Sequence, residues 1–301
     1  MRSVPRPCCW DADAVLVMPV AVDEKYEMAE MTVRSSGVRD AVLALDEDAQ
    51  IPWAERLGHV VRCQGFGVGK ALDAAYKYAL QLGAEWIVRS DSHVYFAEPA
   101  WVMLRPEYSG VVVLPPHRPA DSGIVTHGLV LDHALWILLW NYKPFRPLPC
   151  VMDPVFATHS SLVRELLRWQ PWVYAVPYWG KENFDFTLSL AQLGHPVLPV
   201  DRPLVVHHYK KEWPKARVER RCIEPWCGEL APGENPYFAS MGIADAIFAV
   251  RHYERPQAYR FWREIGGRWV GIAARYFPDR FRYARLKYTV EQVYRAWPAP
   301  P

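Results

Sequence analysis

An apolar run, Trp86-Ile87-Val88, passes through Arg89 and Ser90 and ends in Asp91-Ser92-His93. A carboxylate and an imidazole two residues apart turn toward the same space if the chain bends between them. Together they offer an oxygen and a nitrogen to a divalent cation such as Mn2+ or Mg2+, leaving coordination positions for a third side chain, water and ligand oxygens. Taken alone, so short a triplet reads first as a surface turn.

A second group of chemically capable residues lies downstream. Trp179-Gly180-Lys181 leads into Glu182, Asn183 and Asp185 at the start of a helix, and a later apolar stretch ends in His207-His208. Side chains alternate along a strand, so only one of the two histidines can face a given cleft.

The hydrophobic pattern supplies elements to position these groups. Residues 14–19, ended by a proline, and 41–48, ended by acids, are short apolar runs that read as buried parallel strands, with a helix over 24–36 between them. The cluster Gly65-Phe66-Gly67-Val68-Gly69 opens a helix with Ala71, Leu72, Ala75, Tyr78, Ala79 and Leu82 on one face, stopped by Gly83. Residues 85–91 form the next strand. This order predicts an α/β, Rossmann-like, mostly parallel sheet flanked by helices, with its ligand at the carboxyl ends of the strands, where Pro19, Asp46 and Asp91 fall. Glu47 and Asp48 compete with Asp46 for that place. A full G-x-G-x-x-G is absent, which argues against a dinucleotide fingerprint.

Beyond residue 110 the pattern predicts a further strand, then a strand passing into a helix over 155–169 with Ser160 or Ser161 as cap. A helix from 182 closed by Gly194 and a short strand follow. Residues 213–235 are weakly periodic and read as a mobile loop or linker. Residues 236–301 read as an aromatic-basic extension of two or three helices.

Bulk composition narrows the class. The chain has 301 residues, 51% of them hydrophobic, enough for a large core. A net charge of +2 is too small for a general nucleic-acid binder, so no nucleic-acid partner is expected. No apolar run approaches the roughly 20 residues that cross a bilayer. Asp11 and Asp13 interrupt the first apolar stretch and make it a poor signal peptide, so a cytoplasmic location is expected. Six scattered cysteines do not form a disulfide framework; Cys222 and Cys227 could bridge, and too few neighbouring ligands accompany them for zinc.

The combination of Asp91-Ser92-His93, Trp179-Gly180-Lys181-Glu182-Asn183 and His207 resembles the GT-A fold nucleotide-sugar glycosyltransferases, most of all the retaining polypeptide N-acetylgalactosaminyltransferases. Those enzymes carry a D-S-H motif, a W-G-G-E-N motif and a later histidine ligand. The interval of 28 residues from Trp179 to His207 is similar to the family's. The resemblance covers roughly residues 12–215 and implies a catalytic domain over 1–212, its nucleotide-binding half about 12–95 and its acceptor half about 96–212. It implies that Asp91, His93 and His207 hold one Mn2+ or Mg2+ ion, which binds the diphosphate of a sugar nucleotide, UDP favoured and GDP a competitor. The nucleotide would lie against Pro19, Val20, Asp46, Lys70, Ser90 and Asp91, with Lys210 standing where the family has arginine. Trp179 would lie by the departing phosphate, and Glu182 and Asn183 would bind the transferred sugar or the acceptor. The family's second glycine is Lys181 here, and its Ala-Arg-Asn is Ala71-Leu72-Asp73, with Lys70 as a substitute contact.

Inverting relatives place a carboxylate base where this chain has Asn183, which favours retention. Asp185 as the base of an inverting, family-two transferase is the alternative. The acceptor stays open among a glycan, a lipid-linked glycan, a small molecule and a protein. Between Arg251 and Arg295 eleven basic residues face four acids, interleaved with aromatic residues. That segment reads either as packing against the catalytic domain or as a peripheral contact with an anionic membrane. Two other classes fit parts of the pattern: a metal-dependent sugar-nucleotide hydrolase, and a binding protein that uses the basic tail alone.

Overall fold

The computed structural model describes residues 13–131, 138–208, 224–253 and 267–300. The apolar runs form β1 (Ala14–Pro19), β2 (Asp40–Leu45), β3 (His59–Arg62) and β4 (Trp86–Ser90). β1 lies parallel between β2 and β4, and β3 extends the sheet beyond β2. β6 (Val112–Leu114), β10 (Val155–His159) and β11 (Val197–Pro199) complete seven strands in the order β11-β6-β10-β4-β1-β2-β3, with β10 antiparallel to both neighbours.

Alternation along each strand divides the core. Val15, Val17, Val42, Ala44 and Ile87 pack beneath α2 (Val68–Gln81), whereas Leu16, Met18, Leu43, Leu45 and Val88 pack beneath α1 (Tyr26–Ser36). Both faces are covered, which is why these strands read as continuous apolar runs.

Differences from the sequence reading have local causes. β3 was not expected because all four of its edge residues keep partial or full exposure and give no apolar run. Leu82 lies just past the end of α2 and is 41% exposed, and Tyr76 is buried on that helix instead. α3 (Ser160–Trp169) is capped by His159, whose Nδ1 accepts from the Ser161 N–H at 3.3 Å, rather than by a serine. The glycine cluster serves packing. A Cβ on Gly69 would come within 2.0 Å of the Val176 carbonyl oxygen, and one on Gly67, at φ +129° just before α2, within 2.5 Å of the Pro177 carbonyl oxygen.

α4 (Glu182–Leu193) is buried at all twelve positions. Phe186 and Leu190 join the sheet core, while Phe184, Leu188 and Ala191 pack with α5 (Pro236–His252), α6 (Gly267–Tyr276) and α7 (Val290–Ala296). Within residues 224–235, expected to belong to a mobile linker, Trp226 is fully buried and donates its Nε1–H to Tyr178 Oη at 2.8 Å.

A buried ionic knot ties α4 to α5. Asp185 Oδ1 accepts from Arg251 Nε at 2.9 Å and lies 2.8 Å from His252 Nε2. Burial opposes the Asp185 charge, but the Arg251 guanidinium and the His252 bond hold its carboxyl well below the usual range. Burial, reinforced by Arg251 and opposed by Asp185, holds the His252 imidazole below its ordinary value. Each group thus binds fewer protons folded than unfolded, so its stability contribution is full at neutral pH. The His252 share is lost as pH falls below about 6.5, where the unfolded imidazole protonates. Tm measured from pH 7.5 to 5.5 should therefore fall more steeply for the wild type than for His252→Asn; parallel curves would refute this assignment.

Candidate metal and nucleotide site

A second, smaller sheet brings the distant histidine to the D-S-H turn. β5 (Val94–Phe96) begins directly after His93 and pairs antiparallel with β12 (Val205–His207), placing His207 opposite Val94. β7 (His117–Pro119) lies parallel on the other side of β12. Asp91, His93 and His207 each offer a ligand atom, and these atoms lie within 4.8 Å of one another. Asp91 Oδ2 is 3.4 Å from His207 Nε2, and the two imidazoles stack at 5.0 Å with an 18° interplanar angle. His208 uses its backbone N–H on the His93 carbonyl, and its ring is not in the cluster.

The electrostatics suit a cation. Burial works to raise the Asp91 carboxyl, but Arg89, 2.8 Å away, and the bond to His207 hold it well below the usual carboxylate range. Burial lowers His207 despite the opposing pull of Asp91, which favours the neutral imidazole that ligates metals. One ionised carboxylate and two imidazoles on one point therefore fit a divalent ion.

Glu24 completes this arrangement, and the sequence reading missed it. Its buried Oε2 lies 3.1 Å from His93 Nδ1 and accepts from Ser92 Oγ. A carboxylate on one ring nitrogen fixes the ring and leaves Nε2 as the donor toward an ion. Glu24 stands among Asp23 and Lys25 just past β1, so only its nearness to a strand end marked it. Loss of such an outer carboxylate costs about 10–100-fold in metal affinity. Glu24→Gln should weaken Mn2+ binding by that range in calorimetry, and unchanged affinity would remove Glu24 from the site.

The other expected residues divide into two groups. Glu182 is buried, with Oε2 accepting from the Gly180 N–H at 2.8 Å; burial raises its carboxyl, and Arg89 opposes that shift. Arg89 thus acts electrostatically on both Asp91 and Glu182. Asn183 is 3% exposed, and its Oδ1 has no hydrogen-bond partner among the described residues. Trp179 stacks on Tyr237 of α5, centroids 6.2 Å apart at 25°. Pro19 ends β1, and the N–H of Val20, the next residue, donates to the Ala44 carbonyl. Ser90 is buried at the end of β4.

Asp185 is corrected. It is fully buried; Oδ1 is taken by Arg251 and His252, and Oδ2 accepts from the Ala175 and Val176 N–H groups at 3.0 and 3.3 Å. Both of its oxygens are thus engaged inside the core in this structure. Lys70 pairs with Glu224 at 2.7 Å. The backbone N–H groups before α2 are held by the protein's own carboxylates: Gly65 by Glu47, Phe66 by Glu224 and Gly67 by Asp46. Asp46 therefore uses one oxygen structurally. Lys210 and Cys222 lie outside the described residues.

Comparison with solved structures follows the same lines. The chain is similar to GalNAc-T7, solved with UDP, GalNAc and Mn2+, at 15% identity and a TM-score of 0.54 over 96% of this chain and 59% of that one. The fold is GT-A. The chain thus spans about three-fifths of the GalNAc-T7 chain. Weaker likenesses are to the mannosyltransferase PcManGT from Pyrobaculum calidifontis, solved with GDP-Man and Mn2+ (13% identity, TM-score 0.46, 90% of this chain and 74% of that one), and to S. aureus TarS (13%, 0.44, 94% and 55%). No protein-family model matches the chain, and no curated protein matches it in sequence. In the GT-A fold described here, the candidate cluster sits where β4 gives way to β5, at the carboxyl end of the parallel strands. Among the described residues no helix is long and apolar enough to cross a membrane.

Proposed function

We propose that this chain is a metal-dependent glycosyltransferase that moves a sugar from a nucleoside-diphosphate sugar to an acceptor hydroxyl. The observation that carries the reading is the convergence of Asp91, His93 and His207 on one point in a GT-A fold. These three residues would hold the ion, Mn2+ in preference to Mg2+ because two of three donors are imidazole nitrogens. When bound, it would act as a Lewis acid toward the diphosphate, offsetting charge that builds as the sugar departs.

The chain's own residues have separable tasks. Arg89 keeps Asp91 ionised and faces the field of Glu182. Glu24 orients His93. Asn183 offers a buried amide with an unused oxygen, suited to a sugar hydroxyl that would satisfy it. Trp179, half-buried and stacked on Tyr237, would exclude water from the departing phosphate. Retention is the stereochemical reading, supported by the amide at position 183 and by the engagement of Asp185 in the core. UDP is the proposed donor nucleotide, by analogy with GalNAc-T7, whose structure was solved with UDP.

Thermal-shift measurements with UDP, GDP, ADP and CMP, each with and without Mn2+, test the proposal. Ligand at a hundred times its Kd stabilises by about 2.7 kcal/mol. A Mn2+-dependent rise in Tm for UDP is expected. The absence of any such rise, with every nucleotide, would overturn the transferase reading.

A further inference from the structure

The candidate metal ligands come from two sheets: Asp91 follows β4 of the main sheet, and His207 ends β12 of the second. β4, β6 and β11 of the main sheet each run on into a strand of the second, β5, β7 and β12 respectively. β10, which lies between β6 and β4, is antiparallel and starts where β4 ends, Val155 opposite Ser90, and it runs on into α3 instead. A pair of side chains makes the missing join. His117 opens β7, Asp153 stands two residues before β10, and His117 Nδ1 lies 2.7 Å from Asp153 Oδ2 with both residues buried.

Each partner is tied to one side of the metal cluster. The Asp153 carbonyl accepts from Arg89 Nη1 at 3.0 Å, and the Pro154 carbonyl accepts from Arg89 at 2.7 Å and from the Asp91 N–H at 2.8 Å. On the other side β7 runs parallel to β12, with His117 beside Val205 and Pro119 beside His207, and the His207 carbonyl accepts from the Ala120 N–H at 2.9 Å. The pair therefore spans from the Asp91 backbone to the strand that carries His207.

Its own orientation is held from several directions. Asp153 Oδ1 accepts from the Val155 N–H at 3.1 Å, and Thr126 Oγ1 lies 3.2 Å from His117 Nε2. Thr126 exchanges both backbone hydrogen bonds with His117 and leads into β8 (Leu129–Leu131), whose antiparallel partner β9 (Leu138–Trp140) sets the Trp140 ring 6.2 Å from that of His117. Burial works to lower the His117 imidazole, but Asp153 and, from the cluster, Asp91 raise it above its ordinary value, which favours an ionic contact. Neither side chain belongs to the three-residue cluster. Apolar packing would join the sheets without the desolvation that two buried ionisable groups incur, whereas a short directional contact fixes their separation more narrowly.

We propose that His117 and Asp153 are positioning residues that set the separation of Asp91 and His207, and with it the geometry offered to the metal ion. The inference rests on the metal reading of that cluster and on no step of sugar transfer. Its test is calorimetry of the full chain with Mn2+ alone, together with the electron paramagnetic resonance spectrum of the bound ion, which reports the symmetry of its ligands. His117→Ala should weaken Mn2+ binding by about tenfold, the lower end of the range for partners outside the ligand shell, and alter the spectrum. His117→Asn, whose amide can meet Asp153 from the position of Nδ1, should restore most of both. The losses from His117→Ala and Asp153→Ala should not add in the double variant, because either change removes the same contact. His117→Phe combined with Asp153→Leu leaves no orphaned charge, so it should keep a Tm near that of the wild type yet bind Mn2+ about tenfold more weakly; this pair carries the test if the alanine variants do not fold. Wild-type affinity and spectrum in the Phe–Leu variant, or in folded His117→Ala, would overturn the proposal, as would losses that add in full. A wild type that binds no Mn2+ would remove the metal reading itself and this proposal with it, whereas variants that match a Mn2+-binding wild type remove the proposal alone.

Discussion

Asp91→Asn should lower Mn2+ affinity by about a hundredfold, equivalent to about 2.8 kcal/mol, and take Mn2+-dependent nucleotide binding with it. The substitution keeps nearly the same shape and retains an oxygen for Arg89, which is 3% exposed and would otherwise lose its side-chain ion partner. What it removes is the charge that Arg89 and His207 hold ionised. His207→Ala should act in the same direction by deleting a nitrogen donor, leaving Asp91 and His93 as the remaining pair of the cluster. Calorimetry with Mn2+ alone separates ion binding from nucleotide binding, and Tm without ligand separates both from unfolding. If folded Asp91→Asn binds Mn2+ and nucleotide as the wild type does, the cluster is not the metal site.

The largest stability effect belongs to Asp185→Ala. Four groups converge on its carboxylate: the Arg251 guanidinium, the His252 ring and two backbone N–H groups. Removing one partner of a buried ion pair costs about 3–5 kcal/mol, because the surviving charge stays buried without compensation. Arg251 is 2% exposed, so that penalty applies here; Gln170 Oε1 remains beside it but is neutral. A loss near 4 kcal/mol lowers Tm by about 10 °C at the usual slope for larger domains. Asp185→Leu combined with Arg251→Met should recover much of the loss, since an apolar pair of matched volume leaves no orphaned charge. A drop of only a degree or two for Asp185→Ala would show that the knot contributes little.

These two aspartates also show what was legible in the sequence. The three-strand start, the closure of α4 at Gly194, which sits at φ +105°, and the juxtaposition of Asp91, His93 and His207 could all be anticipated from local pattern and motif. Asp185 could not be assigned to the core in that way. Its partners lie 66 and 67 residues away on α5, and a carboxylate in the first turn of a helix looks the same in sequence whether it faces substrate or a buried arginine. Lys70 was obscure for the same reason, because Glu224 stands 154 residues later. Glu24 was hidden by its charged surroundings. The glycine cluster carried an ambiguous signal: close backbone approach is what glycine permits, and here the approaching backbone is that of Val176 and Pro177 rather than a phosphate.

The full burial of α4 limits how this protein can come apart. A helix with one side in the sheet core and the other among α5, α6 and α7 offers no seam along which the extension could peel away without uncovering Phe184 and Leu188. Its first turn also carries Glu182 and Asn183. The C-terminal helices and the candidate chemistry therefore share one cooperative unit, and the terminal segment acts as a foundation for the site rather than as an appendage to it.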